Sequence, residues 1–122
     1  MTTTITLPWI DPRLHAHTSG NRWSKSRATK ELRQYTALLA KQQRPKTISV
    51  AVVDYRFFPP DARKRDVVNM MQSTKAAIDG CVDAGIIAGD SWTELSIGRI
   101  EVSIDRENPR VELVFAKRAN SQ

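Results

Sequence analysis

Residues 46–90 read KTISVAVVDYRFFPPDARKRDVVNMMQSTKAAIDGCVDAGIIAGD, and the change of hydrophobic period inside this stretch decides the fold class. From Lys46 to Phe58 apolar residues alternate. Ile48, Val50 and Val52 fall on one side and Ala51, Val53, Tyr55 and Phe57 on the other, the period of two that a strand imposes. Apolar residues on both sides predict a central strand. Pro59 and Pro60 stop it, because proline brings no N–H to a ladder. After the loop PPDARKRD the period becomes helical. Met70, Met71, Thr74, Ala77, Ile78, Cys81 and Val82 form one stripe of a helix predicted from Val67 to Ala84, and Gln72, Ala76, Asp79 and Asp83 lie opposite. Gly85 suits the position just past its end. The stripe packs on the sheet, so its methionines and Cys81 read as core rather than as ligands.

Working outward, Thr4–Trp9 reads as a short strand bounded by Pro8 and Pro12, and residues 10–24 as a polar loop. Ala28, Leu32, Tyr35, Leu38 and Leu39 recur at helical spacing and predict a helix from Arg27 to Gln43, capped by Ser24 or Ser26 and ended before Pro45. Arg27, Lys30 and Lys41 share a different, basic face of it. Beyond Asp90, a strand is predicted over Glu94–Ile104. Its inward register slips between Ile97 and Ile100, which predicts a bulge at Gly98. DRENP, residues 105–109, reads as a hairpin loop before a last strand, Arg110–Ala116, with the tail from Lys117 frayed. The order β-α-β-α-β-β predicts one α+β domain over residues 1–122, a mixed sheet carrying two helices.

Composition narrows the function classes. The 122 residues carry a formal charge of +6. Residues 1–65 hold 13 Lys and Arg against four Asp and Glu, whereas residues 66–122 hold six against nine. A basic half beside an acidic half suits a protein that meets a polyanion on one surface. The chain holds no apolar run long enough to cross a membrane. The start lacks the basic and apolar segments of a secretion signal, so a cytoplasmic location is expected. One cysteine excludes an internal disulfide and a cysteine-rich zinc site. His15 and His17 are the only histidines, and no third ligand suggests a metal site with them. There is no glycine-rich phosphate loop and no sign of a small-molecule cofactor.

The constellation with chemical content is Asp66, Lys75 and Asp90. Asp66 stands where the basic run Arg63-Lys64-Arg65 meets a helix start, and Asp90 stands in the loop after that helix. Carboxylates so placed suit Mg²⁺, which takes oxygen ligands. Each also has a purely structural reading: Asp66 as a helix N-terminal charge and Asp90 as a turn residue.

The segments RKRDVVN and KAAIDGCVDAGIIAGD resemble the core of the RusA family of Holliday junction resolvases: a basic run, an Asp-x-Asp-Asn at a helix start, a helical lysine, an Ala-Gly near the helix end and an acidic loop. ITLPW and Asn21-Arg22-Trp23 resemble the family's opening strand and asparagine-containing loop. The resemblance spans most of the chain. It implies a Mg²⁺- or Mn²⁺-dependent endonuclease of bacterial or phage type, a homodimer that makes paired nicks in four-way DNA junctions. Asp66 and Asp90 resemble metal-binding aspartates, Lys75 the lysine that assists catalysis, and Asn69 the asparagine after the second aspartate. Arg63, Lys64, Arg65, Asn21, Arg22 and Lys30, with Asn69, become the expected DNA contacts. The departure is Val68, which stands at the second aspartate position, and the interval from Asn69 to Lys75 is about three residues longer than the best-known family spacing. Valine offers no oxygen ligand. Glu94 or Asp61 replacing it, a site working with Asp66 and Asp90 alone, ligands shared between subunits, and a junction-binding dimer without cleavage are the readings it leaves.

Overall fold

The computed structural model describes residues 2–14 and 22–119. The elements are β1 (Thr2–Pro8), a 3₁₀ turn (Pro12–Leu14), α1 (Arg22–Lys41), β2 (Ala51–Phe58), α2 (Val67–Ser73), α3 (Lys75–Asp83), β3 (Leu95–Val102) and β4 (Arg110–Lys117). With α2 and α3 taken as one interrupted helical unit, this is the expected β-α-β-α-β-β order and the expected α+β domain. His15, His17 and Asn21 lie outside the described residues.

The four strands form one mixed sheet in the order β1-β4-β2-β3. β2 is central, parallel to β3 and antiparallel to β4, and β4 is antiparallel to β1. The expected hairpin at residues 105–109 is therefore absent. The chain leaves β3, crosses the end of β2 through the Ser103 N–H to Phe57 and Asp105 N–H to Pro59 bonds, and enters the far side as β4. There β4 satisfies the second edge of β2 and buries Val111, Leu113 and Phe115 between two neighbours.

Alternation on β2 sorts the two faces. Ala51, Val53, Tyr55 and Phe57 are buried with Ile5, Leu7, Leu113 and Phe115 beneath Ala28 and Ala40 of α1 and Ala77, Ile78 and Cys81 of α3. On the other face Arg56 pairs with Glu112, and Arg110 lies 3.8 Å over the Phe58 ring. None of the described helices lies on that face, so among the described residues the central strand is covered on one side only. The expected bulge is present. Val53 pairs with Ile97 but Tyr55 with Ile100, and the Asp54 carboxylate accepts the Arg99 N–H at 2.8 Å where a Cβ on residue 98 would collide with it.

Several boundaries differ from expectation for local reasons. α1 begins at Arg22, five residues early, so Ser24 and Ser26 lie inside it and cap nothing. β2 begins at Ala51 rather than Lys46, because Ile48 exchanges backbone bonds with Ile86 and Ala88 instead of joining the ladder. The tail is tied down as far as Arg118, whose N–H donates to Val50 and whose Nε donates to Ser96. The predicted long helix breaks at Thr74. The Thr74 hydroxyl donates to the Met71 carbonyl at 2.7 Å, and its N–H turns to the same oxygen. Ser73 meanwhile bonds back to Asn69. Side-chain hydroxyls competing for helix carbonyls loosen the i→i−4 ladder there. α3 ends as expected at Gly85, φ +81°, with Ile86 N–H on Cys81 and Gly85 N–H on Val82, the two bonds of a Schellman motif.

Candidate functional site

The Schellman turn buries Ile86 and Ile87 and sends the chain back past α3, which carries Asp90 toward Lys75. The Lys75 ammonium lies 2.7 Å from Asp90 Oδ2 and 2.6 Å from Asp79 Oδ1. Two carboxylates from different parts of the chain thus meet one cation, the ammonium. Asp79, then Asp90, raises the Lys75 pKa, and Lys75 holds the Asp90 carboxyl below its ordinary range. The group is one ammonium between two carboxylates, exposed enough to be reached from solvent.

Asp79 is the member that sequence reasoning missed. The stripe places it on the opposite side of the helix, yet it lies four residues after Lys75, the spacing at which helical side chains of opposite charge meet. Lys75 and Asp90, separated by 15 residues, are brought together.

Asp66 is placed differently. It is the N-cap of α2, and its Oδ1 accepts from the N–H groups of Val68 and Asn69 at 2.9 and 3.1 Å. The whole of α2, about 10 Å of rise, lies between it and Lys75, and it forms no ion pair with a described residue. Val68 is exposed beside it. The acids suggested by sequence proximity as replacements for a carboxylate at 68 are engaged elsewhere. Asp61 accepts from Arg65 at 2.9 Å, and Glu94 accepts from Ser91 at 2.9 Å.

The basic loop is less available than its sequence suggests. Arg65 donates to the carbonyls of Asp61 and Arg63 and to the Asp61 carboxylate, and its guanidinium lies 5.5 Å over the Trp9 ring. Its side chain is 18% exposed, so it braces the loop. Arg63 is 78% exposed, with Asp61 at 3.9 Å, and Lys64 is exposed. Arg22 and Lys30 lie exposed on α1, while Asn69 is half-buried in α2. Phe57 is in the core and Phe58 lies under Arg110. Burial pushes the Cys81 thiol up to about 12, which leaves it an inert core residue, as expected.

Among the described residues no three acid, histidine or cysteine side chains converge as a ready-made metal cage. Mg²⁺ does not require one, because it binds one or two carboxylates together with substrate phosphates and water. Asp79 and Asp90 are two carboxylates that already present an oxygen to one positive charge.

No family model and no curated protein matches the chain. Among solved structures, the periplasmic domain of Helicobacter pylori MotB is similar to it at 17% identity and a TM-score of 0.40, over 97% of this chain and 82% of that one. No helix is long and apolar enough to cross a membrane among the described residues.

Proposed function

We propose that this chain is a RusA-type endonuclease that recognises four-way DNA junctions and nicks them with Mg²⁺ or Mn²⁺, as a homodimer in the cytoplasm of a bacterial or phage-infected cell. The observation that carries the reading is the Lys75 ammonium held between Asp79 and Asp90 beside unneutralised cations.

In this reading Lys75 donates N–H bonds to the scissile phosphate and stabilises the negative charge that builds up on its oxygens. Asp79 and Asp90 fix where the ammonium stands and keep it protonated. They are also the residues that would hold the divalent ion, with Asp66 able to join only through the oxygen that its cap leaves over. When bound, the ion would polarise the phosphate and lower the pKa of water. Asp79 thereby supplies the carboxylate that Val68 does not. Arg63, Lys64, Arg22 and Lys30 contact flanking phosphates, which position the strand without reading its sequence.

The homodimer has its support at β3. This edge strand presents Ile97, Ile100 and Val102 on the helix-bearing side, 53%, 37% and 48% exposed, beyond the reach of α3. An apolar open edge is a surface for a second copy, and two-fold pairing suits a junction with two equivalent strands.

The test is a nicking assay on synthetic four-way junctions with Mg²⁺ or Mn²⁺. Paired symmetric nicks are expected. Tight binding without cutting in either metal would establish instead a junction-binding dimer, the reading that Val68 favours. Equal competition by linear duplex would remove the junction from both.

A further inference from the structure

Resting on that DNA-binding reading, we infer that one DNA strand runs along the groove between α1 and α3 and is delivered by it to Lys75, with the loop at residues 63–65 the lesser contact. The groove has a volume of about 660 Å³ and is lined by Arg22, Lys25, Lys30 and Arg33 of α1, facing Ala76 and Asp79 of α3.

Charge decides its role. Asp79, the only carboxylate among the described lining residues, is paired with the Lys75 ammonium, which it shares with Asp90. Arg33 is neutralised in turn by Asp83, at 2.7 and 2.9 Å. Arg22, Lys25 and Lys30 are exposed and form no ion pair with a described residue, so three positive charges line one wall unopposed. In the loop, by contrast, Arg65 is locked between Asp61 and Trp9, and Arg63 faces Asp61.

Shape follows from one glycine. A Cβ on Gly80 would lie 2.6 Å from the Arg33 carbonyl and 2.9 Å from Thr36 Cβ, so α1 and α3 touch backbone to backbone there. That contact closes the groove beside Arg33. Toward Arg22 the α3 side of the groove is lined, among the described residues, by the small Ala76. From Arg22 to Arg33 the helix rises about 16 Å, and a duplex strand presents one phosphate per about 3.4 Å of axis. The wall therefore spans several phosphates. Asp79 belongs both to the lining and to the Lys75 cluster, so a backbone lying in the groove passes directly to the ammonium.

The experiment measures binding of the full chain to a fluorescent synthetic four-way junction across a salt series. Lys25→Ala with Lys30→Ala, both exposed positions on a helix that tolerates alanine, is expected to weaken binding about tenfold or more at moderate salt and to reduce the log–log salt slope by about 2. Lys64→Ala is expected to reduce the slope by no more than about 1. A thermal melt like that of the unsubstituted chain shows that the double variant is folded, and Lys25→Arg with Lys30→Arg is expected to restore binding. If the unsubstituted chain binds junctions and the double variant keeps its affinity and slope, the track is wrong while the function stands. If the unsubstituted chain binds no junction at all, both fall.

Discussion

The two ends of the interrupted helical unit make the most instructive comparison in the molecule. Asp66 at one end and Asp90 at the other have equal standing in the sequence, each an acid beside a helix and each matched to a metal-binding residue by resemblance. In the fold they differ. Asp66 answers the backbone: two N–H groups of α2 take up Oδ1. Asp90 answers a side chain brought from elsewhere, Lys75, which also holds Asp79. An acid at a helix start has a ready structural role because the first N–H groups lack partners. An acid in a returning loop has only a turn to serve, so convergence on a charged partner from another element there is the stronger sign of chemistry.

The comparison breaks most visibly in cleavage. Lys75→Ala is expected to lower junction nicking about a hundredfold or more, in the range typical for losing a charge-stabilising donor, with little change in junction affinity. Asp66→Ser keeps a good N-cap and is expected to leave nicking within about threefold. Gel assays of both variants under one condition decide. An equal collapse in Asp66→Ser would make the cap residue a metal ligand as well, and the two ends would be alike after all.

Next in size is the anchoring of the α3 end. Gly80→Ala places a methyl against the Arg33 carbonyl. Alanine is the better helix former by about 1 kcal/mol, but overpacking against a backbone atom costs about 1–3 kcal/mol. A net loss of stability is expected in urea unfolding, and a gain would mean that the helices separate easily. At the α2 end, Asp66→Ala removes the cap and is expected to cost about 1 kcal/mol, while Asp66→Ser costs less in the same measurement. Matching losses would mean that the hydroxyl does not replace the carboxylate as a cap.

What the sequence carried and what it withheld divide along the same line. The switch from period two to period 3.6 across residues 46–85 was legible because burial on one face forces it, and the slip at Gly98 was legible because two apolar registers cannot share a face without an extra residue. Strand order was not. Residues 105–109 look like a turn between neighbours, and only the open edge of β2, a property of the assembled sheet, draws β4 across. The break at Thr74 was hidden because Ser73 and Thr74 fit a helical stripe in spacing, while their hydroxyls compete with the ladder. Of the site, Lys75 and Asp90 stood out from their places on and after the helix, and the resemblance supplied their roles. Asp79, which the apolar stripe places only on the opposite face, is readable from its four-residue spacing to Lys75. The engagement of Arg65 by Asp61 and Trp9 is a tertiary fact with no trace in the charge run.

The smallest expected effect sharpens the comparison in acid. Lys75 holds the Asp90 pKa below 3.8, its ordinary value. A carboxyl depressed on folding adds stability that is complete above its unfolded pKa and disappears as pH falls through the folded one. The contribution is therefore present from neutrality down to about pH 4 and is lost below it. The Lys75 and Asp90 side chains are 60% and 42% exposed, so solvent screens the pair, and a few tenths of a kcal/mol is the expected size. Urea midpoints of the unsubstituted chain and of Asp90→Asn, followed from about pH 6 to about pH 3, read it directly. The two curves should run apart by that small amount at the upper end and converge at the lower. A gap that widens toward acid would mean that Asp90 stabilises the fold in its protonated form, and so that its partner is something other than the ammonium of Lys75.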